Sequence, residues 1–196
     1  MRKLLEWRLL VTGLIFLSLL FTSCGSPDYK VFSLKEGIGH FSFEYPAEYS
    51  VTRIDIRNEA ATRYTDIGLS PVFATNNPGL NEISIYAWPV DSPTDTATLV
   101  LTGMLAQGET IFSDFKLDKR FSVMISDMEG QAAIFSWTAS STNGAGEEKT
   151  LPAVSRMVCF RHGDLAWEIH VASGIEAQAQ AEVEFNHILE TFQILN

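Results

Sequence analysis

Along most of the chain, apolar and polar positions alternate with a period of two, the signature of strands with one face buried. His40-Phe41-Ser42-Phe43-Glu44-Tyr45 sets three aromatics on one side, and Pro46 stops it. Thr52 to Arg57 alternates again, and the two runs read as a hairpin turning through residues 46–48. Tyr64 to Thr75 is a weaker strand ended by Asn76-Asn77-Pro78-Gly79, and Asn81 to Trp88 is a strong one with Ile83, Ile85 and Ala87 inward. The period then lengthens. Ser92 as cap, Pro93 at the first helical position and Asp95 in the first turn start a helix whose stripe is Ala97, Val100, Leu101, Met104 and Leu105, with Gly108 at its end.

Strands resume near Phe115. Phe121, Val123 and Ile125 alternate with polar neighbours, Asp127 to Gly130 makes a tight return, and Gln131 to Ser140 carries Phe135 and Trp137 on one face. Ser141 to Pro152, with Asn143-Gly144-Ala145-Gly146 and the charged Glu147, Glu148 and Lys149, reads as a long loop and a candidate contact surface. Ala153 to Arg161 and Leu165 to Val171 form a last hairpin around His162-Gly163-Asp164. Ser173-Gly174-Ile175-Glu176 is a capping box opening a helix whose apolar stripe is Ala181, Phe185, Ile188, Leu189 and Phe192. Antiparallel strands with one helix in the middle and one at the end predict an α+β domain. Several strands are apolar on both faces, so one helix is expected on each face of the sheet.

The first residues follow a different rule. Arg2, Lys3 and Arg8 precede an uncharged apolar run from Leu9 to Phe21, then Thr22, Ser23 and Cys24. At ~1.5 Å rise per residue that run spans roughly 20 Å, short of the ~30 Å of a bilayer core. This is the layout of a secretory signal. Residues 21–24 resemble the bacterial lipoprotein signal, which implies that Cys24 is lipidated and becomes the mature N-terminus. Two or more acyl chains there would anchor the domain to the membrane, each buried methylene adding ~0.8 kcal/mol. The expected layout is a signal peptide at 1–23, a lipidated tether at 24–36 with an extended piece at Lys30 to Leu34, and one domain at 37–196.

The signal takes three of the 14 basic and one of the 24 acidic residues, leaving 11 against 23 and a formal charge of −12. Such a surface excludes nucleic acid as a partner, because phosphate binding needs a basic stripe. Cys159, in an apolar run, reads as a buried, inert thiol. Asp91 and Asp95 read as helix-start residues. The histidines 40, 162, 170 and 187 show no zinc-type spacing, and no nucleophile elbow, phosphate loop or dinucleotide fingerprint occurs. Glu168 and His170 share a strand face and read as a solvated pair, with a shared hydrogen bond or cation as the functional alternative. No catalytic residue, metal ligand or cofactor is assigned.

Phe41-Ser42-Phe43-Glu44-Tyr45-Pro46 and Phe185-Asn186-His187-Ile188-Leu189-Glu190-Thr191-Phe192 resemble the two ends of the PsbP/Mog1-like domain. The resemblance implies an α/β/α sandwich around an antiparallel sheet, and a family of mostly accessory binding proteins. The expectation is therefore a lipoprotein on the extracytoplasmic face of a bacterial cell membrane, carrying a non-catalytic domain for a protein partner. A small-ligand- or cation-binding lipoprotein is the alternative, with an envelope hydrolase behind it.

Overall fold

The computed structural model describes residues 28–59, 62–71, 81–90, 92, 94–142 and 148–195. The signal segment, Cys24, the turn at 76–79, Asp91, Pro93 and the loop tip at 143–147 lie outside the described residues.

Among the described residues ten strands and two α-helices follow one another: β1 Tyr29–Leu34, β2 Phe41–Pro46, β3 Tyr49–Glu59, β4 Thr62–Pro71, β5 Asn81–Pro89, α1 Ala97–Ile111, β6 Ser113–Ile125, β7 Met128–Thr142, β8 Glu148–His162, β9 Leu165–Gly174, α2 Gln178–Thr191 and β10 Gln193–Ile194. All pairings are antiparallel. Seven strands form a sheet in the order β3-β4-β5-β9-β8-β7-β6, and β1-β2-β10 form a smaller one.

The hairpin expected between residues 40–45 and 52–57 does not form. β2 pairs with β1 and β10 in the small sheet, and β3 pairs with β4. Alternation fixes which face of a strand is buried, not which strand lies beside it. Here Phe32 of β1 lies 5.5 Å from Phe43 and 5.8 Å from Phe41, so aromatic cross-strand contacts hold the β1–β2 pair. Phe32 and Leu34 are consequently buried in the main core. β1 lies within the span expected as tether and covers the extended piece expected at Lys30 to Leu34.

The long loop expected at Ser141 to Pro152 is also mostly strand. β7 runs to Thr142 and β8 starts at Glu148, with Ser141 opposite Lys149 and Thr138 opposite Pro152. Pro152 is tolerated because β8 gains its second neighbour only from Ala153, which pairs with Gly174. Past Gly108, α1 continues to Ile111, and the glycine lets the rings of Phe112 and Phe115 pack close, since an added Cβ would come within 3.2 Å of Phe115. Its cap is Thr96, whose side chain accepts from the Leu99 amide at 3.3 Å, rather than Ser92. Ser173 caps nothing: it ends inside β9, buried, and a single 3₁₀ turn at Ile175–Ala177 leads into α2.

Among the described residues two main apolar clusters divide the core, with a small third one at Ala139 and Ala153. The larger joins the small sheet and α2 to the inward residues of the large sheet, including Ile67, Ile83, Ile85, Val158, Phe160, Trp167 and Ile169. The smaller joins Leu101 and Leu105 of α1 to Ala133, Phe135, Met157 and Cys159. Along β8, neighbouring residues thus alternate between the clusters, which explains why its sequence is apolar at every position from Met157 to Phe160.

Gly39 sits against the Trp167 ring, where an added Cβ would clash with Cη2 and Cζ2. Trp167 is backed by Phe41, Phe160 and Phe192 and cannot give way. Gly39→Ala is expected to cost about 1–3 kcal/mol in urea unfolding, as overpacking does. A variant as stable as the parent would show that the Gly39 backbone is not seated on the ring.

Candidate protein-binding face

On the side away from the main core, the large sheet is covered by α1 over β6–β8 and presents a polar and aromatic surface over β3–β5. The registers Arg57↔Tyr64, Asp55↔Asp66, Asp66↔Tyr86, Tyr86↔Glu168 and Ser84↔His170 put these side chains in rows across β3, β4, β5 and β9. Ile67, Ile85 and Ile169, the alternate residues, point into the main core. α1 packs on β6, β7 and β8, so the β3–β5 part of the face stays open to a degree: Tyr64, Asp66, Tyr86 and Trp88 are partly exposed, Arg53 and Arg57 more so.

Three rings run along this open part. Tyr64 and Tyr86 have centroids 5.5 Å apart, and Tyr86 stacks on Trp88 at 5.0 Å. Charges border them. The Tyr64 hydroxyl donates to Asp55 at 2.6 Å, and Arg57 Nε reaches the same carboxylate at 3.3 Å. The hydrogen bond from Tyr64 first, and the nearby guanidinium next, hold Asp55 below the usual carboxylate range, while the bond to Asp55 raises Tyr64. Arg53 bridges Asp66 at 2.8 Å and Glu82 at 3.1 Å. These exposed pairs add little stability, because solvent screens them. Their arrangement matters more: Asp55, Asp66 and Glu82 stand with Arg53 and Arg57 at the Tyr64–Tyr86 end, and Arg161 joins the face at the Trp88 end through the register Trp88↔Ala166↔Arg161.

Glu168 and His170 lie deeper on the same face, and they are not the solvated pair expected from sequence. Glu168 is 7% exposed, and His170 stacks on Phe135 at 6.0 Å. Cys159 and Met157, their register partners on β8, belong to the cluster under α1. Nδ1 of His170 stands 4.0 Å from Glu168 Oε1, beyond hydrogen-bond reach, and its Nε2 is buried without a partner. Burial, helped by the Asp66 charge, pushes Glu168 up to about 7, and burial pulls His170 down to about 4. Both groups favour their neutral forms.

The remaining sequence candidates are scattered. Cys159 is buried and its thiol pushed well above the ordinary range by burial and then by Glu168, which fits an inert sulfur. His40 and His162 are exposed; His187 pairs with Glu44 at 2.9 Å and stacks on Tyr29. Asp95 accepts from the Ser92 amide at 3.2 Å. Among the described residues no three of His, Cys, Asp or Glu converge to hold a metal ion, and no helix is long and apolar enough to cross a membrane.

The chain aligns with the solution structure of cyanobacterial PsbP (CyanoP) from Synechocystis sp. PCC 6803 at a TM-score of 0.54, covering 88% of this chain and 96% of that one, at 9% identity. It aligns with the Saccharomyces cerevisiae Ran-binding protein Mog1p at 0.55, covering 87% and 97%, at 13% identity. The fold is PsbP/Mog1-like. No protein-family model matches the sequence, and no curated protein does either. At such identities the PsbP/Mog1 likeness concerns the backbone alone, and the Tyr64–Tyr86–Trp88 face has to be judged on its own chemistry.

Proposed function

We propose that this chain is a bacterial lipoprotein, anchored through lipid on Cys24 at the extracytoplasmic face of the cell membrane. Its PsbP/Mog1-like domain serves as a non-catalytic accessory module that binds a protein. The alternation of β8 between the two core clusters supports a sandwich with α1 on one face of the large sheet and α2 on the other. The observation that carries the functional reading is the aromatic row Tyr64, Tyr86 and Trp88 bordered by the carboxylates of Asp55, Asp66 and Glu82. Aromatic faces supply contact area at low entropic cost and attract cations, and carboxylates complete the fit to a basic surface. Mog1p, a Ran-binding protein, is an instance of this fold engaging a protein.

Two tests separate the parts of this reading. Cys24→Ala is expected to abolish membrane retention or to leave the precursor uncut, because the acceptor thiol is gone; mass spectrometry of the mature protein that found Cys24 unmodified would end the lipoprotein assignment. Combined Asp66→Asn and Tyr86→Ser is expected to weaken partner binding at least tenfold with the domain still folded. Unchanged binding would remove the face from consideration.

A further inference from the structure

A cleft of about 200 Å³ opens beside the start of β3, lined by Glu48, Tyr49, Pro71, Asn81, Gln180 and Glu184. It shares no residue with the aromatic face. Glu184 stands out in it, because a carboxylate on the buried side of a helix is rare unless it is paired with a cation. It is 3% exposed and neighbours Phe185 and Ile188 on the packed stripe of α2. Oε2 accepts from the Tyr49 hydroxyl at 3.0 Å and Oε1 from Gln180 Nε2 at 3.1 Å. Both donors are neutral, and among the described residues no lysine, arginine or histidine comes within ion-pair distance of it. Each oxygen keeps a second lone pair. Burial, and more weakly the Glu48 charge, push Glu184 above the usual carboxylate range, while the Gln180 and Tyr49 bonds oppose that and hold the group in place. What the cleft presents is therefore a fixed carboxyl group whose ionised form a bound cation would favour.

The rest of the lining selects among cations. Glu48 adds an exposed carboxylate at the mouth and Asn81 a side-chain amide, while Pro71 and Ala181 offer apolar surface. A bare metal ion gains nothing from that surface, whereas an alkyl chain does. The volume is below the ~300–1,000 Å³ of sites for drug-sized ligands, which suits a short chain.

We propose that this cleft binds a small primary alkylammonium, with its NH₃⁺ on Glu184 and its methylenes against Pro71 and Ala181. The ammonium donates three hydrogen bonds, and the free lone pairs of Glu184 together with Glu48 accept them.

The test uses the folded domain and n-butylammonium as probe, followed by thermal shift and calorimetric titration at constant ionic strength. Expected is a saturable upward shift that n-butanol, its neutral isostere, does not produce. Glu184→Gln, nearly isosteric, should raise the Kd at least tenfold, and Glu48→Gln, exposed at the mouth, should raise it two- to fivefold. If Glu184→Gln does not fold, Glu48→Gln carries the comparison. The proposal is overturned by the absence of a saturable shift, by equal shifts from n-butanol, by unchanged affinity in the variants, or by calcium binding more tightly than the amine.

Discussion

Phe192→Ala is expected to lower stability by about 3–5 kcal/mol, the range for removing a buried aromatic ring. Phe192 directly follows α2 and is fully buried. Its ring lies 5.6 Å from Phe41, 5.6 Å from Phe160 and 5.7 Å from Trp167, so one side chain joins the small sheet, the large sheet and the terminal helix. The backbone is held there too: its amide donates to the Ile188 carbonyl at 2.8 Å, and its carbonyl accepts from the Ser126 hydroxyl. Neither bond restores the lost ring contacts, and a cavity lined by three rings cannot collapse without moving two sheets. Against a typical total of ~5–15 kcal/mol, the loss should show as a large fall in the urea midpoint. A change within about 0.5 kcal/mol would mean that α2 is not docked as described.

The second large effect is hidden in the parent protein and appears only when one of two buried groups is removed. Glu168 rises from 4.5 to about 7 on folding, so the folded state holds its proton longer than the unfolded chain. Its contribution is fully present below pH 4.5 and is lost as pH climbs to about 7. His170 falls from 6.5 to about 4, so its contribution is present above pH 6.5 and is lost as pH drops towards 4. Each amounts to roughly 3 kcal/mol, since every tenfold change in proton affinity between the folded and unfolded states is worth ~1.4 kcal/mol. Between pH 4.5 and 6.5 the two slopes oppose and nearly cancel. In His170→Phe, stability should therefore decline by roughly 3 kcal/mol from pH 4.5 to 7. In Glu168→Gln it should instead climb by a similar amount from pH 4 to 6.5. Urea unfolding over a pH series checks both, and parallel profiles in the two variants would refute the burial of the pair.

The β8–β9 hairpin and the α2 stripe were legible in the sequence because each is a local periodicity with its own turn or stop: Gly163 at the hairpin, Phe192 at the helix end. The partner of β2 was not. His40 to Tyr45 announces a buried aromatic face, but the strand that pairs with it, β1, has Lys30, Val31 and Ser33 outward and looks like tether until Phe32 and Leu34 meet Phe41 and Phe43. The ends of β7 and β8 failed for a related reason: the Ser, Thr, Glu and Lys there have loop composition, and only their mutual pairing makes them strand.

For the candidate face, the common orientation of Glu168 and His170 followed from spacing. Their burial did not, since it depends on Phe135, Cys159 and Met157 from other strands. The aromatic row was missed altogether. Tyr86 and Trp88 are two apart and share a face by period alone, but Tyr64 joins them only through the β4–β5 register, which no local pattern in the sequence specifies.

Site-specific photocrosslinking of the full chain in its native membrane tests the central claim most directly. A photoreactive residue at Trp88 reports on the aromatic face, and one at Val183, exposed on α2, serves as the reference. The account predicts a single basic protein captured from Trp88, lost on combining Asp66→Asn with Tyr86→Ser, and no such product from Val183. Capture from Val183 alone, or equal capture from both positions, would contradict it.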